Sequence, residues 1–316
     1  MVFFQSKIVF FGTPEFAGIV LESLIKNGFK PNLIITQPDQ PLGRKQKLTS
    51  PPVKELALSN GLKIAQPKNK IELKKIFEKD KVDLAILVAY GMIIPAEILK
   101  KPVYGFLNLH PSLLPKYRGA SPIQGAILNG EEKTGVSIIK MTEVVDAGPI
   151  LNQEVVAVDK NDNNETLSRK LAEVGSKILI ETIPLYLEGK IKFINQNESL
   201  ASFTQIIKRQ DGQVDWQKSA DFLDRQKRAF SSWPGIFTHL GQKRLKIANL
   251  SVLEGDFKAN LKSGEVFLGP NSGLAVKCGQ GAVELKTVQL EGKKKMTGKD
   301  FLRGQKDLVG KILKYF

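Results

Sequence analysis

The sequence predicts an open, mostly parallel α/β sheet followed by a small β-barrel. Up to about residue 188, short apolar runs alternate with segments of helical periodicity, the pattern of repeated βαβ units. The run Leu84–Ala89 is apolar on both faces, as expected in the middle of a parallel sheet. After residue 207 the pattern changes to short strand-like runs separated by Gly and Asn, which is compatible with a small barrel.

In the first part, each element is predicted from its apolar pattern and its boundary residues. Runs such as KIVFF and NLIIT indicate buried strands. Ser50 can cap a helix that begins with prolines, and Gly61 ends that helix. The predicted strands are Lys7–Phe11, Asn32–Thr36, Leu62–Ala65, Leu84–Ala89, Phe106–His110, Gly135–Lys140 and Pro149–Val156. The predicted helices are Pro14 to about Asn27, Pro52–Asn60, Asn69–Lys79, one that begins at Pro122, and Asn164 to about Glu188.

Two segments interrupt this pattern. The polar segment Gln37–Ser50 (QPDQPLGRKQKLTS) predicts a long basic loop after the second strand. Residues 190–207 are polar and weakly patterned, so we expect a linker between a first domain, residues 1–189, and a second domain, residues 208–316. The second domain is predicted to contain a helix at Ser219–Ala229 and strands near Ile236–His239, Arg244–Leu250, Glu265–Leu268, Leu274–Lys277 and Val283–Leu290.

The charge distribution indicates a polyanionic partner. The chain has 47 Lys and Arg against 32 Asp and Glu, a formal net charge of +15. Residues 201–316 alone hold 21 basic and 11 acidic residues, or +10. Two-thirds of the excess therefore lies in the last third of the chain, which favours a module that faces a polyanion such as a nucleic acid.

Composition also excludes several classes of protein. The single Cys278 cannot form an internal disulfide, which excludes a disulfide-stapled secreted scaffold. His110 and His239, with one cysteine, cannot supply a conventional closed zinc site, so we expect no metal. The longest apolar run, about thirteen residues from Leu84 to Ala96, is too short to span a bilayer, and Gln5–Lys7 interrupts any signal peptide. We therefore expect a soluble, cytoplasmic protein with no membrane partner.

The segment Asn108–Pro115 (NLHPSLLP) carries the strongest chemical signal. Asn108 and His110 end a predicted strand two residues apart, so their side chains point the same way. Asp146, in the turn before the next strand, could bring a carboxylate to them. Together these groups could serve acyl transfer to an amine: Asn as oxyanion donor, His as proton acceptor, Asp as the group that orients the imidazole. The pattern alone leaves a second interpretation open, a local hydrogen-bonding feature without catalytic role.

Longer segments resemble a known family. NLHPSLLPKYRGASPIQGAI and KTGVSIIKMTEVVDAGPIL are similar to the two signatures of the formyltransferases that use 10-formyltetrahydrofolate, and the second contains the catalytic Asp. The resemblance covers nearly the whole chain. It includes FGTPEFA at residues 11–17, QPDQPLGRKQKL at 37–48, VAYGMIIP at 88–95, SSWPGIFT at 231–238 and GKDFLRG at 298–304.

The resemblance implies a Rossmann-like catalytic domain followed by a barrel of the oligonucleotide-binding type. Asn108, His110 and Asp146 match the catalytic residues of the family. Its folate-binding stretch is matched by Ser112, Leu113, Leu114 and Pro115. The implied reaction is direct attack of a free amine on the formyl carbon of 10-formyltetrahydrofolate, a co-substrate used without a metal. The chain departs from the family pattern at Lys116–Tyr117, Gly125 and Val144–Val145, none of which is a catalytic position.

The resemblance of the C-terminal elements implies that an aminoacylated initiator tRNA is the formyl acceptor. The basic loop matches a family insertion that reaches the tRNA acceptor end, with Arg44 at the arginine position and Lys45 beside it. Basic residues of the second domain are expected to neutralise tRNA phosphates without reading bases. These candidates are Lys208, Arg209, Lys243 and Arg244. We expect the protein to act as a monomer.

Three other functions are weighed against this one. A formyltransferase acting on glycinamide ribonucleotide or an amino sugar would not need the basic C-terminal barrel. An inactive tRNA-binding protein would not need an intact Asn108, His110 and Asp146. Hydrolysis of formylfolate would use water in place of the amine. Mixing the protein with formylfolate, with and without charged initiator tRNA, separates these possibilities.

Overall fold

The computed structural model describes residues 6–43, 46–79, 81–255, 260–305 and 307–314. The chain divides into two compact units. The first comprises the chain up to residue 122 together with residues 132–158 and 166–205. The second comprises residues 123–131, 159–165 and the chain from residue 206 onward. Arg44 and Lys45, which the family resemblance places near tRNA, lie outside the described residues.

Strands and helices alternate in the first half of the chain, and strands predominate in the last third. The strands are β1 (Ile8–Gly12), β2 (Leu33–Ile35), β3 (Gln40–Leu42), β4 (Lys47–Thr49), β5 (Ile64–Ala65), β6 (Leu84–Val88), β7 (Phe106–His110), β8 (Arg118–Gly119), β9 (Lys133–Lys140), β10 (Ile150–Ala157), β11 (Phe203–Thr204), β12 (Ile236–Leu240), β13 (Lys243–Leu253), β14 (Val266–Leu268), β15 (Leu274–Lys277), β16 (Ala282–Leu290) and β17 (Met296–Thr297). The helices are α1 (Glu15–Lys26), α2 (Pro52–Ser59), α3 (Lys70–Lys79), α4 (Ala96–Leu99), α5 (Pro122–Leu128), α6 (Asn164–Leu187), α7 (Ala220–Ala229) and α8 (Gly298–Arg303). Of the helices in the described ranges, none combines the length and the apolar character that crossing a membrane requires.

The main sheet of the first unit is mostly parallel, as the sequence predicts. Its seven strands lie in the order β10-β9-β7-β6-β1-β2-β5. The pairs from β7 to β5 are parallel, whereas β9 runs antiparallel to both β7 and β10. Every residue of β1 and of β7 is buried, which explains why these segments are nearly continuous apolar runs. Because β7 lies inside the sheet, the side chains at its end are fixed by neighbours on both sides.

An aromatic cluster supports the beginning of β7. The ring of Phe11, in β1, lies 5.2 Å from that of Tyr90 and 5.4 Å from that of Phe106, between ring centroids. Phe77, from α3, packs against Phe11 and Phe106 in the same cluster. Aromatic pairs of this kind contribute about 0.5–1.5 kcal/mol each beyond the burial of their area. Burial raises the pKa of Tyr90 to about 12, so its phenol is neutral at physiological pH.

The segment Gln37–Ser50 differs from the predicted loop because it contains the hairpin β3–β4. Gly43, after β3, has a φ of 72°, a left-handed conformation that glycine adopts without strain. The base of the hairpin is held by Asp39, whose carboxylate accepts hydrogen bonds from Gln66 Nε2 at 2.8 Å and from Lys54 Nζ at 2.7 Å. These two hydrogen bonds hold the pKa of Asp39 below its usual range, and the bond from Gln66 has the larger effect. The base of this segment is therefore anchored.

The segment that the sequence predicts as a linker, residues 190–207, is largely an ordered part of the first unit. The backbones of Ile194 and Ile150 exchange hydrogen bonds of 2.8 and 2.9 Å. Further on, β11 pairs in parallel with β8, and Phe203 lies opposite Arg118. Residues up to 205 belong to the first unit for this reason. The hydrophobic pattern of this segment could not predict that it is ordered. The segment is held by hydrogen bonds to distant parts of the chain and not by a buried apolar face.

The second unit contains a curled antiparallel sheet, in agreement with the predicted C-terminal barrel. Its strands lie in the order β12-β13-β16-β15-β14, and β17 pairs with β16. Register shifts near Asn249 in β13 introduce irregularities that bend the sheet. The C-terminal segment pairs at Ile312 with Glu265, just before β14, and at Lys314 with His239 in β12. It therefore bridges the two edge strands and curls the sheet toward closure. The fold class predicted from the sequence is confirmed.

Candidate active site

The side chains of Asn108 and His110 lie on the same face of β7. Both residues are buried, with 6% and 3% of their surface exposed. Alternation along a strand places residues two apart on one face, and the strand ends at His110 because Pro111 has no N–H to continue the ladder. An amide and an imidazole are thus presented together where a central strand ends.

Asp146 reaches these side chains from the turn between β9 and β10. Its backbone has a φ of 54°, a left-handed conformation that Asp tolerates better than most residues. Carboxylate Oδ1 accepts a hydrogen bond from Asn108 Nδ2 at 3.2 Å, and Oδ2 accepts one from the Gly119 N–H at 2.8 Å. Oδ2 also lies 3.6 Å from His110 Nδ1. The structure therefore brings Asn108, His110 and Asp146 together around one carboxylate.

The His110 ring is oriented by a backbone carbonyl. Its Nε2 lies 2.9 Å from the carbonyl oxygen of Tyr117, and because a carbonyl only accepts, Nε2 must carry the hydrogen of this bond. In the neutral ring, Nδ1 is then the unprotonated nitrogen, and it is Nδ1 that faces Asp146. The nitrogen that could accept a proton in this site is therefore Nδ1. Its protonation places a cation 3.6 Å from the Asp146 carboxylate.

The turn Tyr117–Gly119 contacts both His110 and Asp146, through a carbonyl on one side and an N–H on the other. Gly119 has a φ of 103°, and a Cβ at this position would collide with the carbonyl oxygen of Thr204 in β11. Only glycine satisfies both conditions. The geometry of the site thus depends on the close approach of β8 and β11.

Arg118 and Gln196 connect this turn to the backbone around Asp146. Arg118 Nε and Nη2 donate to Gln196 Oε1 at 3.0 and 2.8 Å, and Gln196 Nε2 donates to the carbonyls of Asp146 and Gly148 at 2.8 and 2.7 Å. The guanidinium also pairs with Glu198 at 2.7 and 2.8 Å, and these hydrogen bonds hold the pKa of the Glu198 carboxyl below its usual value. Sequence reasoning missed these residues because no periodicity or motif links positions 78 residues apart.

The folate-binding stretch implied by the resemblance forms the turn after β7. Ser112 is buried, and its hydroxyl donates to a backbone carbonyl of the same turn at 2.6 Å. The N–H of Leu114, also buried, donates to Ser137 Oγ at 3.1 Å. Leu113 and Pro115 are only half-buried. Ser112 and Leu114 therefore shape the turn, whereas Leu113 and Pro115 keep part of their apolar surface exposed.

The four basic residues predicted to contact tRNA phosphates in the second unit differ in exposure. Lys208, Arg209 and Lys243 are exposed, and no ion pair within the described ranges involves them. Arg244 is half-buried, with its guanidinium carbon 4.6 Å from the centroid of the Phe237 ring. The first three side chains are free to meet a phosphate, and Arg244 is partly committed to an aromatic face.

Other basic residues of the second unit are already paired. Lys227 and Arg228, both on α7, each bond to Asp224 at 2.8 Å. Burial raises the pKa of the Asp224 carboxyl, but the bonds from the two cations outweigh it and leave that pKa below its usual value. Arg225 donates from Nε to the Leu128 carbonyl at 3.0 Å. Charge density along the sequence therefore overstates the number of cations that are available to a ligand.

The site can stabilise an oxyanion and accept a proton. Nδ2 of Asn108 carries two hydrogens, of which one is donated to Asp146 and the other remains for an anionic oxygen. Nδ1 of His110 can accept a proton, and the Asp146 carboxylate stabilises the resulting cation. In the part of the chain that the structure describes, no group of three or more His, Cys, Asp or Glu could hold a metal ion. This chemistry suits the transfer of a carbonyl group to a nucleophile that must lose a proton.

Comparison with known proteins agrees with this chemistry. The model of the formyl transferase family matches residues 6–183, and that of the formyl transferase C-terminal domain matches residues 206–306. A methionyl-tRNA formyltransferase of Caldicellulosiruptor saccharolyticus is 43% identical over 97% of this chain and 99% of its own. Another, of Dehalococcoides mccartyi, is 40% identical over 97% of this chain and 98% of its own. Both units are therefore shared with full-length relatives.

A solved structure supports the fold alone. The N-formyltransferase of Helicobacter canadensis, crystallised in complex with folinic acid and dTDP-3-aminofucose, has a TM-score of 0.67 with this chain. It is 20% identical, and the match covers 89% of this chain and 99% of that one. The folate and the sugar nucleotide belong to that protein, and at this identity the likeness carries no information about the acceptor.

Proposed function

The chain belongs to the methionyl-tRNA formyltransferase family, and on that premise we propose that it transfers the formyl group of 10-formyltetrahydrofolate to the free α-amino group of methionyl-initiator tRNA, for translation initiation. The observation that carries the proposal is the convergence of Asn108 and His110 on the carboxylate of Asp146. Transfer of a formyl group to an amine needs a donor for the developing oxyanion and a base for the amine proton, and this site supplies both.

In the proposed mechanism, Asn108 stabilises the charge that develops on the formyl oxygen. The bond from its Nδ2 to Asp146 Oδ1 orients the amide before the reaction begins and leaves the second hydrogen for the substrate. Donors oriented in advance are effective because they need no reorganisation as charge develops. Removing one such donor typically costs about 10²–10³-fold in kcat.

His110 accepts the proton that the attacking amine loses. Because the Tyr117 carbonyl binds Nε2–H, the ring presents Nδ1 as the base in its neutral form. Once Nδ1 is protonated, the cation is attracted by Asp146 Oδ2 and adds to the stabilisation of the oxyanion. When the tetrahedral intermediate collapses, the bond between the formyl carbon and the folate N10 breaks, and the proton held on Nδ1 passes to N10 of the leaving tetrahydrofolate. Asp146 therefore acts on both partners: it orients the Asn108 amide and stabilises the charged form of His110.

Substrate binding is proposed to use both units. The stretch Ser112–Pro115 holds the folate, with Leu113 and Pro115 offering half-buried apolar surface. Lys208, Arg209, Lys243 and Arg244 meet tRNA phosphates, and Arg44 and Lys45 reach the acceptor end. The protein is proposed to act as a monomer in the cytoplasm.

The proposal is tested by a formyl-transfer assay with purified protein, 10-formyltetrahydrofolate and charged tRNA. We expect formylmethionyl-tRNA to form from initiator tRNA and far less from elongator methionyl-tRNA. Uncharged initiator tRNA is the control, because it provides the same phosphates without an α-amine. Formate release at an equal rate without tRNA would indicate hydrolysis, formylation of an amino sugar would indicate another acceptor, and tRNA binding without turnover would indicate a binding protein. Each of these results would contradict the proposal.

A further inference from the structure

The Gln196 side chain uses its whole hydrogen-bonding capacity between the turn at Arg118 and the loop at Asp146. Both hydrogens of Nε2 are donated to backbone carbonyls, those of Asp146 and Gly148, and Oε1 accepts two bonds from the Arg118 guanidinium. A primary amide has two donor hydrogens and two acceptor lone pairs, so nothing is left over. Turning the amide over would set Oε1 against two carbonyls and Nε2 against a cation. Its orientation is therefore unambiguous.

Within the loop that Gln196 contacts, the Val144 carbonyl accepts long hydrogen bonds from the Ala147 N–H at 3.3 Å and from Thr142 Oγ1 at 3.2 Å. Asp146 has a left-handed φ of 54°, and Val144 and Val145 just before it are exposed, so they contribute no core packing. A residue in such a conformation persists only where the surrounding structure determines it. Asn108 and Gly119 bind the Asp146 carboxylate from outside the loop, and Gln196 binds the backbone carbonyl of the same residue.

The same connection extends to the other side of the site. Arg118 lies in the turn whose carbonyl at Tyr117 orients His110 and whose N–H at Gly119 binds the Asp146 carboxylate. Its side chain is 3% exposed, and its partner Glu198, 68% exposed, balances its charge at the surface. One buried guanidinium thus links the backbone that orients the imidazole to the backbone that carries the carboxylate.

We propose that Gln196, held by Arg118, is a positioning residue for formyl transfer: it fixes the Asp146 carboxylate at the distance from Asn108 and His110 that catalysis requires. Gln196 touches no reacting atom in this proposal and acts only through Asp146. The proposal rests on the function proposed above. It assigns a catalytic contribution to a segment that sequence patterning indicates only as a linker.

The test is Gln196→Met, which keeps an unbranched side chain of similar length and removes all four hydrogen bonds. We expect kcat to fall about 10–100-fold, as for small misplacements of a catalytic group, while KM for initiator tRNA stays close to that of the parent.

The matched control is Gln226→Met in the second unit. Gln226 is 6% exposed, and its Nε2 likewise bridges two backbone carbonyls, those of Asp211 and Gln213 at 2.9 and 3.2 Å. The Gln226→Met variant is expected to have a lower melting temperature than the parent and an unchanged kcat.

A double-mutant cycle separates positioning from general support of the fold. In an Asp146→Asn background the carboxylate is already lost, so Gln196→Met is expected to cost less than about threefold further. An equal fold-decrease in kcat in the two backgrounds would overturn the proposal. A residue that only stabilises the fold as a whole would lower activity independently of Asp146. Parent-like kcat for Gln196→Met would overturn it too.

A measurement that does not depend on enzyme activity separates the positioning role of Gln196 from the proposed function. Amide hydrogen exchange in the peptide spanning residues 141–149 is expected to accelerate in Gln196→Met and to be unchanged in Gln226→Met. An inactive parent enzyme would reject the proposed function whatever the exchange result. If the parent enzyme is active but hydrogen exchange of the loop is unchanged in Gln196→Met, the positioning role is rejected while the proposed function stands.

Discussion

Positive charge serves two different purposes in the two units. In the first unit, the Arg118 side chain is buried, and its Nε, Nη1 and Nη2 all donate to Gln196 or Glu198. In the second unit, Lys208, Arg209 and Lys243 are exposed and enter no ion pair within the described ranges. The first kind of cation builds a site, because its hydrogen bonds set the geometry of neighbouring backbone. The second kind is proposed to attract tRNA phosphates, because no ion pair within the described ranges neutralises its charge.

This difference predicts different kinetic signatures. Changes in the first unit around Asp146 should act on kcat and be insensitive to salt. Changes on the exposed cations should act on KM and on its salt dependence, because each phosphate contact releases counterions.

The largest effect is expected at the proposed catalytic residues. His110→Ala and Asp146→Asn should each lower kcat by about 10²–10⁴-fold, because each removes a group that moves or stabilises a proton. The measurement is steady-state formyl transfer, with folding checked by circular dichroism. His239→Ala, at the other histidine of the chain, serves as the control and should turn over like the parent. Near-normal turnover in both catalytic variants, with folding intact, would contradict the assignment.

A smaller effect is expected from Arg44→Lys, which keeps the charge and removes the planar five-donor fork. If Arg44 recognises a specific geometry at the acceptor end, losing one bidentate contact costs about 1–3 kcal/mol by analogy with base readout, roughly 5–150-fold in kcat/KM for initiator tRNA. Lys45→Arg is the charge-preserving control. Equal activity of Arg44→Lys and the parent on initiator and elongator tRNA would leave this arginine as a simple electrostatic contact.

The exposed cations should give a moderate, salt-dependent effect. Replacing Lys208, Arg209 and Lys243 together by Ala should raise KM for tRNA, leave kcat unchanged, and reduce the slope of log affinity against log salt by about 0.7–0.9 per lost contact. Lys227→Ala is the control, because Lys227 Nζ is held by Asp224 at 2.8 Å and by the Leu250 carbonyl at 3.1 Å, so it is not expected to meet a phosphate and the slope should not change. A triple variant with the parent's salt slope would show that these residues do not face phosphates.

The smallest effect concerns Cys278, which is buried in the second unit. Burial raises the pKa of its thiol to about 12, above the value of an exposed thiol near 8.5. The thiol's contribution to stability is therefore fully present below about pH 8 and is lost as the pH rises toward 12. At pH 8, alkylation of native protein should be slow and should become fast in guanidinium. Rapid alkylation of the native protein, without loss of its circular dichroism signal, would show that the thiol is accessible.

Much of the site could be inferred from the sequence because the signals are local. Asn108 and His110 share one face by the period of a strand, and the signatures around them and around Asp146 are contiguous. The segment Gln37–Ser50 could be identified as a connection but not as the hairpin β3–β4, since its anchoring through Asp39 depends on Gln66 and Lys54. Residues 190–207 carry no hydrophobic period, so the place of residues 190–205 in the first unit could not be inferred.

The sequence by itself determined the fold class, the excess of positive charge in the last third and the identity of the three groups that converge at the end of β7. Only the tertiary structure decided that Nε2 of His110 binds the carbonyl of Tyr117 and that Nδ1 faces Asp146. It also decided that Lys227 is paired, that Lys208 enters no ion pair within the described part of the chain, and that Gln196 reaches Asp146. The physical reason is range: periodicity and capping act over a few residues, whereas a hydrogen bond between distant positions exists only after the chain has brought two backbones into register.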